Sequence, residues 1–249
     1  MLTSIPPDLA ASIITNKPPS ANLSLPLEDA ILNDASPALQ SYDECLHCLA
    51  NSLRLVHHQI TPLLSGFHAP QPQAADFHSF KWDKWSDLWG ACTLWFQARP
   101  YGMEPVLESP DDRARQGQSF PIDVYTSATA LQANLAMHMS AIILLTHRPR
   151  LGDVPGSSRR LRSRSWHVQK IARMLIGNHF HEQWDPIAIA ALLFIAREMS
   201  HASQQEALLS CLREVVRTTQ IPVEGDVADL RECWRRMYHN GPPHVSQNS

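Results

Sequence analysis

Asn134 and His138 lie one helical turn apart in LQANLAMHMSAIILL, a stretch without a charged residue in this 249-residue chain. At that spacing both side chains leave the same face of a helix. A buried imidazole and a buried amide both need hydrogen-bond partners. The pair either fixes helix packing as an internally satisfied polar couple, or recognises a ligand, with His138 able to move a proton. Upstream, Trp82, Trp85, Trp89 and Trp95 recur at helical spacing. They serve either as core wedges or as a stack for a flat ligand. Arg99 and Arg148 each precede a proline at an expected helix end. There each caps its own last carbonyls or grips a carboxylate or phenolate. The candidate ligand-binding set is therefore Trp85, Trp89, Arg99, Asn134, His138 and Arg148, with His138 catalytic only if the chain is an enzyme.

Other constellations are chemically incomplete. Cys45 and Cys48 occupy adjacent turns of one expected helix, and no second cysteine pair or histidine couplet completes a tetrahedral zinc site. His179-Phe180-His181-Glu182 follows a helix end at Gly177, whereas an H-x-H pair needs a strand to aim both rings one way. His57 and His58 point in different directions on a helix. Asp111-Asp112-Arg113-Ala114-Arg115 lacks the acid one turn later that a terpene-cyclase metal motif requires. A glycine-rich phosphate loop, a nucleophile elbow and a zinc-protease helix are also missing. Neither a metal nor a cofactor is expected.

The elements that must position these residues are helices. Ser36-Pro37 opens one in which Leu39, Tyr42, Leu46, Leu49, Leu53, Val56 and Ile60 form a single stripe, ending near Thr61. This stripe fits a bundle core and leaves a dimer contact open. A loop over 65–80 leads to a tryptophan helix from about Lys81 to Arg99, and a buried central helix runs from about Asp123 to His147. An internal cavity is expected between these last two. Further helices fall at about 158–177, at 186–201 behind Asp185-Pro186, at 204–219 behind the capping box Ser203-Gln204-Gln205-Glu206, and at about 226–239. The expectation is all-α: a flexible arm over 1–35, one bundle-like multi-helix domain over 36–239 with a linker near 150–157, and a disordered tail over 240–249. Arg159, Arg160, Arg162 and Arg164, interleaved with serines, read as a solvated linker, an import signal or a phosphorylation-tuned patch.

Composition narrows the function classes. Apolar residues make up 44% of the chain and charged residues only 18%, with a net charge of −3, so no global basic field exists to hold a polyanion. Five scattered cysteines fit a reducing compartment. The N-terminus lacks the charged start and apolar core of a signal peptide. The longest apolar run, IAIAALLFIA, is ten residues, half of the ~20 that a membrane span needs. A protein of the nucleus or cytoplasm, without membrane contact or sequence-specific DNA binding, is expected.

The order Trp, Leu, Trp, Arg-Pro at 85–100, then Phe120-Pro121, then a long helix with Asn134 and His138 closing on Leu-Leu and Arg-Pro, resembles the fungal-specific transcription factor domain. Ala172-Arg173, Ile176-Gly177 and Leu230-x-x-x-Trp234 extend the resemblance over about 37–238. It implies an all-helical regulatory region of the kind found downstream of a binuclear zinc cluster, here without the six close cysteines of that cluster. On this basis the chain reads as a ligand-responsive regulatory domain tied to secondary metabolism, with a metabolite, a regulator protein or a second copy as partner. The rival reading is a small biosynthetic enzyme, an isomerase, cyclase or dehydratase, that reuses the domain's cavity.

Overall fold

A computed structural model describes residues 7–15, 17, 37–64, 74–109, 121–149, 158–178 and 184–239. Among them are eight helices: α1 (Pro7–Thr15), α2 (Pro37–Leu64), α3 (Ala74–Ala98), α4 (Ala128–Thr146), α5 (Arg164–Gly177), α6 (Pro186–Ala196), α7 (Ala202–Thr219) and α8 (Glu224–His239). A 3₁₀ turn over Tyr101–Met103 follows α3. Two short strands, β1 (Leu107–Glu108) and β2 (Asp123–Val124), pair antiparallel. The architecture is all-α.

The hub is α4. It carries no charge, and every residue from 130 to 144 is buried, because α2, α3, α5 and α6 all pack on it. By length and composition alone α4 would span a membrane, but its burial inside the protein is that of a core helix. The Ser127 hydroxyl accepts from Ala130 N at 3.2 Å and starts it. Residues 123 and 124, expected in this helix, form β2 instead, since Asp123 is drawn into an ionic network described below.

Local punctuation sets several other boundaries. Asp185 Oδ1 accepts from Ala188 N at 2.7 Å and caps α6, with Pro186 in its first turn. The helix stops at Ala196, whose carbonyl accepts from Trp234 Nε1 at 2.8 Å, so the tryptophan of α8 closes α6. Ser163 caps α5, which begins at Arg164, while residues 159–162 form a turn ahead of it. The expected capping box at Ser203 is not used. Helix α7 starts at Ala202, and Gln205 Nε2 donates to Met199 O at 2.9 Å. Helix α3 begins at Ala74, earlier than expected.

The stretch expected to be a flexible arm contains α1, which packs on α6 with Leu9 and Ile13 buried. Its apolar side chains have a core to join, and that decides the matter. The expected linker at 150–157 and the tail at 240–249 lie outside the described residues.

Candidate functional site

Helices α3 and α4 run antiparallel, and three contacts fix their register. Trp85 Nε1 donates to Leu144 O at 2.8 Å, the Phe96 ring lies 4.9 Å from the His138 ring, and Arg99 Nη1 donates to Asn134 Oδ1 at 2.8 Å. Asn134 also donates through Nδ2 to Met103 O and Ala130 O, both at 2.8 Å. One amide thus ties the end of α3, the 3₁₀ turn and α4 together. Arg99 sends its side chain to Asn134 rather than back to its own helix, and its guanidinium carbon lies 5.8 Å and 5.7 Å from the Trp95 and Phe96 rings. Its Nε–H is buried and has no hydrogen-bond partner among the described residues.

Asn134 and His138, expected to act together, have separate partners. His138 Nδ1 lies 2.8 Å from Nδ1 of His167 on α5. The network assigns the tautomers. His167 Nε2 faces the Leu161 carbonyl at 2.8 Å, and a carbonyl only accepts, so Nε2 carries the proton and Nδ1 the lone pair. His138 Nδ1–H is then the donor, and its Nε2 keeps a lone pair. Burial first, then the charges of His167, Lys170 and Arg99, holds His138 well below its usual value of 6.5. Burial likewise lowers His167 to about 4, against the opposing pull of its bond to Leu161. Phe96 and Trp166 pack around both rings. Two neutral imidazoles sharing one proton lock α4 to α5. Neither is poised as a general base near pH 7.

The tryptophans form a column. Trp85 stacks on Trp82 at 5.4 Å and 15°, and on Trp89 at 5.7 Å and 9°. Trp85 and Trp89 are fully enclosed, so their faces meet one another rather than a flat ligand. Trp89 Nε1 lacks a partner among the described residues. Farther along α3, Trp95 Nε1 donates to Ser41 Oγ on α2 at 2.8 Å. Arg148 lies exposed beyond the far end of α4 and does not join Arg99 and Asn134.

Among the described residues, a groove of about 510 Å³ lies between α2 and α3, beside the expected α3–α4 cavity position; it is open to the surface, and Met137 of α4 lines it. Ser41, Glu44 and Cys48 form one wall, and Leu94, Trp95 and Arg99 the other. That volume suits a small organic molecule. One cation and one acid among apolar and hydroxyl groups would give such a molecule a fixed orientation.

No protein-family model matches this chain. No curated protein and no solved structure matches it either. What the groove does therefore rests on its own geometry.

A second polar centre escaped sequence reasoning. Asp123 on β2 is buried and receives Lys170 Nζ at 2.9 Å and Arg173 Nε at 3.0 Å, both from α5. Lys170 also reaches Glu108, and Arg173 donates to the Ser109 carbonyl. Burial pushes the Asp123 carboxyl up, while Lys170 and then Arg173 pull it back. Asn178 completes the clamp, donating to Asp123 O at 2.8 Å and accepting from Tyr125 N at 2.9 Å. A Cβ on Gly177 would stand 2.8 Å from Asp123 O and 2.9 Å from Ile122 Cβ, so only glycine lets β2 approach α5 this closely. Among the described residues this centre ties β1 and β2 to α5, with Asp123, Lys170 and Arg173 buried and Glu108 half exposed. Among the described residues no cluster of three His, Cys, Asp or Glu side chains could hold a metal, and residues 179–182 and 111–115 lie outside them.

Proposed function

We propose that this chain is a ligand-responsive regulatory domain of the fungal transcription factor type, linked to secondary metabolism, whose α2–α3 groove takes a small organic anion. The observation that carries the reading is Arg99: it lines the groove, is oriented by Asn134, and keeps a buried Nε–H without a partner among the described residues. A buried donor without a partner costs about 1–3 kcal/mol, and an aromatic carboxylate or phenolate would remove that cost. Trp95 and Leu94 supply the apolar wall for its ring.

The resemblance in residue order supports the regulatory class, and the net charge of −3 supports a role without direct sequence-specific DNA contact. Such a domain works in the nucleus or cytoplasm and passes ligand occupancy to a regulator protein or a second copy. The depressed basicity of His138 favours binding over proton-transfer catalysis. Titration calorimetry with salicylate, and with neutral salicylamide as control, tests the proposal. Salicylate should bind, the amide should bind at least 10-fold more weakly, and Arg99→Met should lose about 10–100-fold in salicylate affinity, the worth of a charge-assisted hydrogen bond. Equal binding by both compounds, or by Arg99→Met and the wild-type chain, would remove this reading.

A further inference from the structure

Cys48 and Cys92 are 44 positions apart, on α2 and α3, yet their Sγ atoms lie 3.2 Å from one another. Both are free thiols. A disulfide needs a separation of about 2.05 Å, so the two sulfurs stand about 1.2 Å from bonding distance. The two thiols are unequal. Cys48 lines the α2–α3 groove, whereas Cys92 is sealed beneath it. Hydrogen bonding from Cys92 lowers the Cys48 thiol against the opposing effect of burial, with help from the Ser140 and Ser52 hydroxyls. Its bond to Cys48, then burial, pushes Cys92 far up. Cys45 makes a useful contrast: one turn away on α2, its thiol donates to Ser41 O at 3.0 Å rather than meeting a second sulfur.

We propose that Cys48 and Cys92 are a hydroperoxide-responsive dithiol, with Cys48 as the attacking sulfur and Cys92 as the resolving one, which closes to a disulfide between α2 and α3. In the first step the Cys48 thiolate attacks one oxygen of a hydroperoxide entering through the groove. The O–O bond breaks, Cys48 becomes a sulfenic acid, and the departing oxygen leaves as water or an alcohol after taking up a proton. In the second step Cys92 attacks the Cys48 sulfur, an S–S bond forms, and the sulfenic oxygen leaves as water with the proton that Cys92 gives up. Two thiols lose two electrons in total, and the hydroperoxide gains them. The new bond ties together the two walls of the groove. This inference is independent of the identity of any groove ligand.

Peptide mapping of the full chain decides it. The reduced protein, freed of reductant, is exposed to hydrogen peroxide, quenched with N-ethylmaleimide under denaturing conditions and digested. A Cys48–Cys92 linked peptide, about 2 Da below the summed thiol peptides, should form before the more accessible Cys211 and Cys233 are oxidised, and dithiothreitol should reverse it. In Cys92→Ser, dimedone should label Cys48 as a trapped sulfenic acid. Oxidation of Cys211 or Cys233 first, or a link from Cys48 to Cys45, would overturn the proposal. The wild-type mapping is decisive whether or not the variant folds.

Discussion

The two ends of α3 handle aromatic and polar groups in opposite ways. Toward its start, Trp82, Trp85 and Trp89 stack on one another and close against α4, and Trp85 finds its one polar partner in the Leu144 carbonyl. At its finish, Trp95 and Arg99 turn to the groove, and Arg99 keeps a donor in reserve. The same helix thus encloses the aromatic rings of one end and sets those of the other beside an open groove. Tryptophan content alone did not distinguish them; the neighbour opposite each ring does.

The largest break in this comparison comes from Trp85→Ala. Truncating an enclosed ring in the column should cost about 3–5 kcal/mol in chemical denaturation, while any chain that remains folded keeps its groove affinity. A loss of affinity with little loss of stability would place recognition at the wrong end of α3.

Acid should weaken the His138–His167 tie beside Phe96 by a comparable amount. The folded-state values of His138 and His167 lie below 6.5, so the unfolded chain binds the protons first. Their stabilisation is complete above pH 6.5 and fades as pH falls toward about 4; for His167 alone this is on the order of 3 kcal/mol. Asp185 carries the opposite sign, because burial raises its carboxyl from 3.8 to about 6 and its contribution grows as pH falls through that range. His167→Gln, which retains a donor for Leu161 and an acceptor for His138, should flatten the acid-side loss relative to the wild-type chain. Parallel unfolding curves for the two proteins from pH 7 to 4 would contradict the neutral pair.

A smaller contrast sharpens the column itself. Trp85→Phe deprives the Leu144 carbonyl of its tryptophan donor and should cost about 1–3 kcal/mol beyond the lost area. Trp89→Phe removes an N–H that has no partner among the described residues, so it should cost less than Trp85→Phe in urea unfolding.

Much of this layout is legible in sequence because its causes are local. Proline lacks the N–H and restricts the residue before it, so α3 and α4 end just ahead of Arg99-Pro100 and Arg148-Pro149, and Asp185-Pro186 starts α6. The charge-free run of α4 marks the buried hub in the same way. The partners are a different matter. His138 meets His167, Cys48 meets Cys92, and Asp123 meets Lys170 and Arg173, each across tens of residues and through helix packing that no spacing rule encodes. Spacing paired Asn134 with His138 because they share a face; the structure separates them because α3 and α5 each offer a better partner. Helical spacing puts the tryptophans on one helix, but whether each faces core or groove depends on α2 and α4.

The proposed anion site predicts a partner for the Arg99 Nε–H, and that proton can be watched directly. In a ¹H–¹⁵N spectrum of the arginine side chains, assigned by loss of one peak in Arg99→Lys, salicylate should shift the Arg99 Nε–H resonance downfield and slow its exchange with water. Salicylamide should leave it in place. An Arg99 resonance that stays unmoved while salicylate binds elsewhere would rule out Arg99 as the anion's partner.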